Sequence, residues 1–291
     1  MRKILRLLGS KILFLVIIGC IVAPSITHAA GQQSIGWDQG AQGTIQVTGL
    51  GIPPISADSS QGRLSARRAA IVDAYQYLVE AVQDIHVNSE TTMENLMVND
   101  VVNIKVSGII RGAKIIEETQ LPDGTYQVRM GINMYGPNSI GEIALNVIKP
   151  LETKAFPAPS TDYKPIGVTP SSINTSPFYT GVIIDARGLG LEPTFSPAVN
   201  DDSGRSIYGS AYVDTNLAIS QGMVDYAPTP ELVLAAENGQ SRAGILPIIV
   251  KAIAVKGNNC NVIISKQDAN RILAANQSNG FLNKCAVVLE K

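Results

Sequence analysis

The chain has 291 residues, which corresponds to about two domains of ordinary size, and its 45% hydrophobic and 16% charged content excludes a wholly disordered protein. A net formal charge of −1 leaves no basic footprint for a nucleic acid. With 26 Gly and 16 Pro the chain should hold many turns and at least one linker.

Residues 1–30 read as an export signal. Arg2, Lys3, Arg6 and Lys11 form a positive stretch without acids, Ile12 to Val22 is apolar, and Thr27-His28-Ala29-Ala30 supplies a small-residue cleavage site. The apolar run of about ten residues is half of the roughly 20 that a membrane span needs. Ile17-Ile18-Gly19-Cys20 also has lipobox character, so cleavage before Cys20, which would lipidate it, competes with cleavage near Ala29, the favoured route. Setting aside the four N-terminal bases takes 23 Lys and Arg to 19 against 24 acids, a net charge of −5. In an oxidising compartment Cys260 and Cys285 are expected to pair as a disulfide, with two buried free thiols as the alternative.

In the first domain, residues 31–149, Thr44 to Gly49 alternates apolar and polar residues and predicts a half-buried strand. From Gly62 to about Ile85, residues Leu64, Ile71, Ala74, Tyr75, Leu78, Ala81, Val82 and Ile85 recur at helical spacing and predict one long amphipathic helix. Ala113–Gln120 and Thr125–Met134 flank Pro122-Asp123-Gly124 and predict a hairpin, with Tyr126, Val128, Met130, Ile132 and Met134 on one face. The expected domain is α+β, a long helix packed on an antiparallel sheet.

Residues 150–177 carry six prolines among Ser and Thr, which marks a linker and makes relative motion of two domains the default expectation. The second domain, 178–291, should be mixed α/β. Val182-Ile183-Ile184 reads as a buried strand, and further strands are expected at Ile245–Val255, Asn261–Ile264 and Ala286–Glu290. Ser265 with Asp268 three residues on predicts a capped helix between the last two. Those two strands would be parallel neighbours, bringing the two cysteines together.

Chemistry is sparse. His86 is the one histidine after the signal, and it reads as part of a surface turn. Gly49-Leu50-Gly51 and Gly188-Leu189-Gly190 lack the third glycine of a nucleotide loop and read as turns needing positive φ. Asp185, Arg187, Glu192, Asp201 and Asp202 form an acidic, Gly-rich segment that could take a small ligand, glycan or cation. Asp185 and Glu192 could serve as a hydrolytic carboxylate pair. Asp201-Asp202-Ser203-Gly204 equally suits a solvated turn. Arg67 and Arg68 read as solvated. No cofactor and no metal site are expected.

Gly49-Leu50-Gly51-Ile52-Pro53, Ala66-Arg67-Arg68-Ala69-Ala70-Ile71, Asp73-Ala74-Tyr75, Leu78-Val79-Glu80, Thr91-Thr92, Gly108, Gly112-Ala113 and the Gly124 hairpin together resemble a known family. It is the family of small bacterial surface lipoproteins first known from a twenty-kilodalton outer-membrane antigen; the layout is also similar to the N-terminal domain of flagellar assembly protein T. The resemblance covers roughly residues 44–135. Tyr179 to Gly190 with Pro193 looks like longer exported relatives. The resemblance implies an envelope, cell-surface or flagellar basal-body role through protein contacts, in the periplasm or at the outer membrane. It transfers no catalytic residue, and only the lipidated cysteine onto Cys20, with membrane contact only if that cysteine is lipidated. The leading expectation is therefore a non-enzymatic structural or assembly protein of the envelope. The alternative is a periplasmic binding module for a small ligand or glycan in an interdomain cleft.

Overall fold

A computed structural model describes residues 33–37, 42–54, 60–150, 152–160 and 178–291. Residues 1–30, read above as an export signal with Cys20 among them, lie outside the described residues, as does most of the Pro-rich segment.

The first half is a four-stranded antiparallel sheet in the order β1-β2-β4-β3, built from β1 (Gln33–Ile35), β2 (Thr44–Gly51), β3 (Lys114–Gln120) and β4 (Tyr126–Asn133). The predicted hairpin is β3–β4, with Gly124 at φ 86° in its turn. Helix α1 (Ser60–Gln83) lies across the sheet face formed by Ile45, Val47, Val128, Met130 and Ile132. Its buried stripe is Gly62, Ala66, Ala70, Ala74, Leu78, Ala81 and Val82, whereas Leu64 faces solvent. At one end of the contact Ala66, Ala70 and Ala74 lie against Gly49 and Gly51 of β2, small residue on small residue. Gly49 and Gly51 sit inside β2 with no positive φ, so the predicted turn there is corrected to a site of close backbone approach. A Cβ on Gly51 would fall onto the Ala66 carbonyl oxygen, and one on Gly49 onto the Ala70 oxygen and Ala74 nitrogen.

Two short helices, α2 (Met93–Met97) and α3 (Asp100–Arg111), follow α1, and α4 (Ile140–Ile148) follows the hairpin. Each has a side-chain N-cap: Thr92 accepts from Asn95 N, Asn99 from Val101 N and Val102 N, and Ser139 from Glu142 N.

The second half holds two four-stranded sheets, in accord with the predicted mixed α/β class. The first, β8-β12-β5-β9, is all parallel and comprises β5 (Gly181–Asp185), β8 (Asp225–Ala227), β9 (Pro247–Lys251) and β12 (Val287–Glu290). The second, β10-β11-β6-β7, contains β6 (Val199–Asp201), β7 (Ser206–Tyr208), β10 (Ala254–Lys256) and β11 (Asn261–Ile264). Helices α5 (Thr215–Gln221), α6 (Pro230–Glu237) and α7 (Lys266–Asn279) connect them. The predicted cap at α7 forms, with Asp268 N donating to Ser265 Oγ at 3.0 Å; the return bond of the expected box runs instead from Ser265 Oγ to Asp268 Oδ2 at 2.7 Å.

Two expectations fail on sheet partition. The stretch 245–255 is not one strand but two, β9 and β10, in different sheets. Likewise β11 and β12, the strands flanking α7, are not neighbours, because β11 pairs with β6 and β12 with β5. Cys260 precedes β11 and Cys285 precedes β12, so each cysteine goes to its own sheet and both are buried free thiols. The disulfide expectation is thereby corrected. Burial pushes the Cys260 thiol up to about 11 and raises that of Cys285 as well, so neither should react in the native state. With residues 1–30 removed, so that Cys20 is absent, a thiol reagent is expected to label two cysteines after denaturation and none before; protection lost only on adding reductant would instead indicate a disulfide.

The halves pack against each other through one continuous apolar cluster, with Val47, Met134 and Ile140 from the first half and Phe195, Tyr208 and Leu289 from the second. Trp37, the single tryptophan, packs edge-on against Phe195 (5.1 Å) and Tyr226 (5.7 Å), and Phe195 meets Tyr135 at 5.7 Å. Backbone bonds cross the junction: Phe195 N to His86 O (3.2 Å), Ser196 N to Val87 O (2.9 Å) and Tyr226 N to Trp37 O (3.2 Å). A packed aromatic junction thus occupies the place where a cleft and relative motion were expected. The described start of the linker is also engaged: Phe156 stacks on Tyr208 and Tyr212, and Lys154 N bonds Ala211 O. Because the core is shared, urea should unfold the two halves together. Trp37 emission and far-ultraviolet circular dichroism are expected to give coincident midpoints; two separated transitions would show independent halves.

Candidate functional site

Ligands of open parallel sheets lie beyond the C-terminal strand ends. At that edge, register pairing sets Glu290 of β12 beside Asp185 of β5, with Lys251 of β9 on the other side of Asp185. The chain then turns through Ala186 to Gly190, with Gly188 and Gly190 at φ 77° and 70°, as the turn reading of these two glycines requires. Arg187, in that turn, donates Nε and Nη2 to the two Asp185 oxygens at 2.8 and 3.0 Å. Its Nε also stands 3.5 Å from Glu290 Oε2. This fork holds the Asp185 carboxyl below the usual carboxylate range, assisted by Lys251.

Glu290 is the opposite case. Its side chain is 0% exposed, and among the described residues neither carboxylate oxygen receives a hydrogen bond. Burial pushes its carboxyl up to about 7; Arg187 works against the rise, while Glu237 and Asp185 add to it. Glu290 is not marked by any motif in the sequence. The available signal was an acid closing the apolar run Ala286-Val287-Val288-Leu289, where a solvated end would be the ordinary expectation.

The remaining predicted residues do not join this group. Asp201 ends β6 in the other sheet and is 1% exposed; the solvated-turn reading holds for the exposed Asp202, Ser203 and Gly204, the last at φ 89°, and is corrected for Asp201 itself. Its Oδ1 accepts from Ser203 N, Ser203 Oγ and Arg205 N, and its Oδ2 from Arg205 Nε at 2.9 Å. Arg205 in turn reaches Asn270 Oδ1 (2.8 Å), Ala158 O and Ser160 Oγ, so Asp201 anchors a structural knot tying the β6–β7 turn to α7 and to residues 158–160. Asp202 is exposed in that turn, and Glu192 lies in a loop where its N–H donates to Asn259 O. His86 is not in a free surface turn: its carbonyl accepts from Thr194 Oγ1 and Phe195 N across the junction of the halves. Arg67 is paired with Glu118 of β3, Nε to Oε2 at 2.6 Å, rather than solvated alone. Among the described residues no three His, Cys, Asp or Glu side chains converge as a metal site, and no helix is long and apolar enough to cross a membrane.

The first half carries a different kind of surface. Helix α3 buries Val102, Val106 and Ile110 but leaves Val101 61% and Ile104 68% exposed, next to Val98 at 83%. It stands between two grooves. One, of about 690 Å³, is bounded by α1 and lined by Tyr75, Val79, Met97 and Ile110. The other, of about 1060 Å³, is bounded by α4 and lined by Val101, Ile109, Ile132, Ile143 and Val147, with Lys105, Lys114 and Glu142 among its polar residues. This surface can bind apolar side chains but offers no evident acid–base pair. Its signal was present in the sequence as valines and isoleucines too numerous for one buried helix stripe.

Residues 181–289 match the family described as Treponema pallidum Tp0624, second domain. The match runs from the start of β5 into β12 and so takes in both sheets of the second half. No curated protein matches the chain.

Proposed function

We propose that the protein is a non-enzymatic exported component of a bacterial cell envelope, with a structural or assembly role exercised through protein contacts at α3. Incorporation into a flagellar or other envelope assembly is the sharper form of this reading, in keeping with the resemblance of residues 44–135 to surface lipoproteins and flagellar assembly protein T. The observation that carries it is the exposed apolar row of Val98, Val101 and Ile104, flanked by two grooves. Large exposed apolar patches mark protein contact sites.

The test is crosslinking in the envelope with a photoreactive residue at position 101, followed by the substitution Ile104→Lys. Because Ile104 is solvent-exposed, the change should alter stability by less than about 0.5 kcal/mol. Crosslinks that vanish in Ile104→Lys, with a motility or envelope defect, support the assembly role; an unchanged crosslink pattern and phenotype overturn it. The rival reading, a binding module for a small ligand or glycan, predicts a melting temperature that rises with ligand by mass action.

A further inference from the structure

Arg187 serves two carboxylates that differ sharply in their surroundings. Asp185 takes both ends of its fork, at 2.8 and 3.0 Å, while Glu290, wholly buried and without a hydrogen-bond donor, waits 3.5 Å from the same Nε. An ionised carboxylate in that position costs far more than a neutral one unless a cation closes on it. The charged groups around it are Arg187 and Asp185 from β5 and its turn, Lys251 from β9 beside Asp185, and Glu237 from α6. On the β8 side its register partner is the apolar Ala227. Among the described residues Arg187 is the cation acting directly on Glu290, and it sits in a turn whose glycines Gly188 and Gly190 hold left-handed backbone with little or no side-chain packing against them.

We propose that Arg187 is a charge-controlled latch: it holds Asp185 alone while Glu290 is neutral and is drawn onto both carboxylates when Glu290 is ionised, repositioning the Ala186–Gly190 turn at the sheet edge. The proton leaves Glu290 for bulk water, and no other group changes its covalent state. Burial places this change near pH 7, since the Glu290 carboxyl is raised to about 7 from an ordinary 4.5. A carboxyl raised in the folded state binds its proton more tightly there than when unfolded. The stabilisation it gives is therefore complete below the unfolded value and is lost as pH climbs through the folded one.

The experiment follows the Arg187 Nε–H resonance, identified by its loss in Arg187→Lys, from pH 5.5 to 8.5 in a chain spanning residues 31–291, together with urea unfolding at pH 5 and 8. The expected result is an Arg187 shift with a midpoint near 7, abolished in Glu290→Gln. The unfolding constant of the wild type should also rise about tenfold or more between pH 5 and 8 relative to Glu290→Gln. If Glu290→Gln does not fold, Asp185→Asn replaces it: with its rival partner gone, Arg187 is free to close on Glu290, and the midpoint should fall by about one pH unit or more. An Arg187 resonance that stays constant across the range, or a midpoint unmoved in the folded variant, overturns the latch.

Discussion

Replacing Gly51 with valine is expected to lower stability by about 3 kcal/mol, equivalent to roughly 6 to 12 °C in melting temperature for a protein of this size. The reason lies in the contact between β2 and α1. At this crossing the Cβ of any other residue would fall onto the Ala66 carbonyl oxygen and lie 2.6 Å from Ala70 N. Both obstacles are backbone atoms of one helix, so no rotamer change relieves them; α1 must lift from the sheet. Lifting it opens gaps beneath Ala66, Ala70 and Ala74, where there are no long side chains to fill them. Gly51→Ala should show a smaller loss of the same sign, and Gly49→Ala likewise, since its Cβ would fall on the Ala70 oxygen and Ala74 nitrogen. Gly108 supplies the contrast. It lies in α3 with nothing within 4 Å of a built Cβ, so Gly108→Ala should stabilise the helix by about 0.5 to 1 kcal/mol. Thermal unfolding of the variants checks both signs, and a neutral Gly51→Val would mean that α1 does not pack this closely.

Asp201→Ala should cost about 3 kcal/mol, the scale of a buried pair broken from one side. The carboxylate is 1% exposed and accepts from two backbone N–H groups, one hydroxyl and the Arg205 guanidinium. Removing it leaves the Ser203 and Arg205 amides without their acceptor and a partly buried guanidinium with only Asn270, Ala158 O and Ser160 for partners. Asp201→Asn keeps one acceptor oxygen and should lose less. Arg205→Met, which removes the charge together with its counterpart's attraction, should lose an intermediate amount and also release residues 158–160. Urea unfolding measures the first effect, and proteolysis near Ser160 reports the second. If Asp201→Ala matched the wild type in both, the carboxylate would not be organising this turn.

The latch at Arg187 and the α3 surface lie in different halves, so their failures are separable. Loss of crosslinking in Ile104→Lys speaks only to contacts, and a flat titration of Arg187 only to the sheet edge.

The amino-acid sequence by itself determined the features whose physical cause is local. Period-two alternation on both sides of Pro122-Asp123-Gly124 specified the β3–β4 hairpin, three- and four-residue spacing specified α1, and Ser265 with Asp268 specified the start of α7. The mixed helix-and-sheet class follows from those same elements. Helix α3 escaped the periodicity argument because Val101 and Ile104 put apolar residues on its solvent face and blur the stripe. Only the tertiary structure decided how strands are shared between the two sheets of the second half, because pairing joins segments far apart in the chain and leaves no local pattern. That partition separates β11 from β12, and with them the two cysteines. It also decided what the acids and glycines do. Asp185 and Asp201, sixteen positions apart in one polar segment, end on different sheets with different arginines, and Glu290 reaches Arg187 only through the β5–β12 pairing. Gly49 and Gly51 read as turn residues in isolation, and only the helix lying on them shows that their missing side chains set how closely the two layers pack.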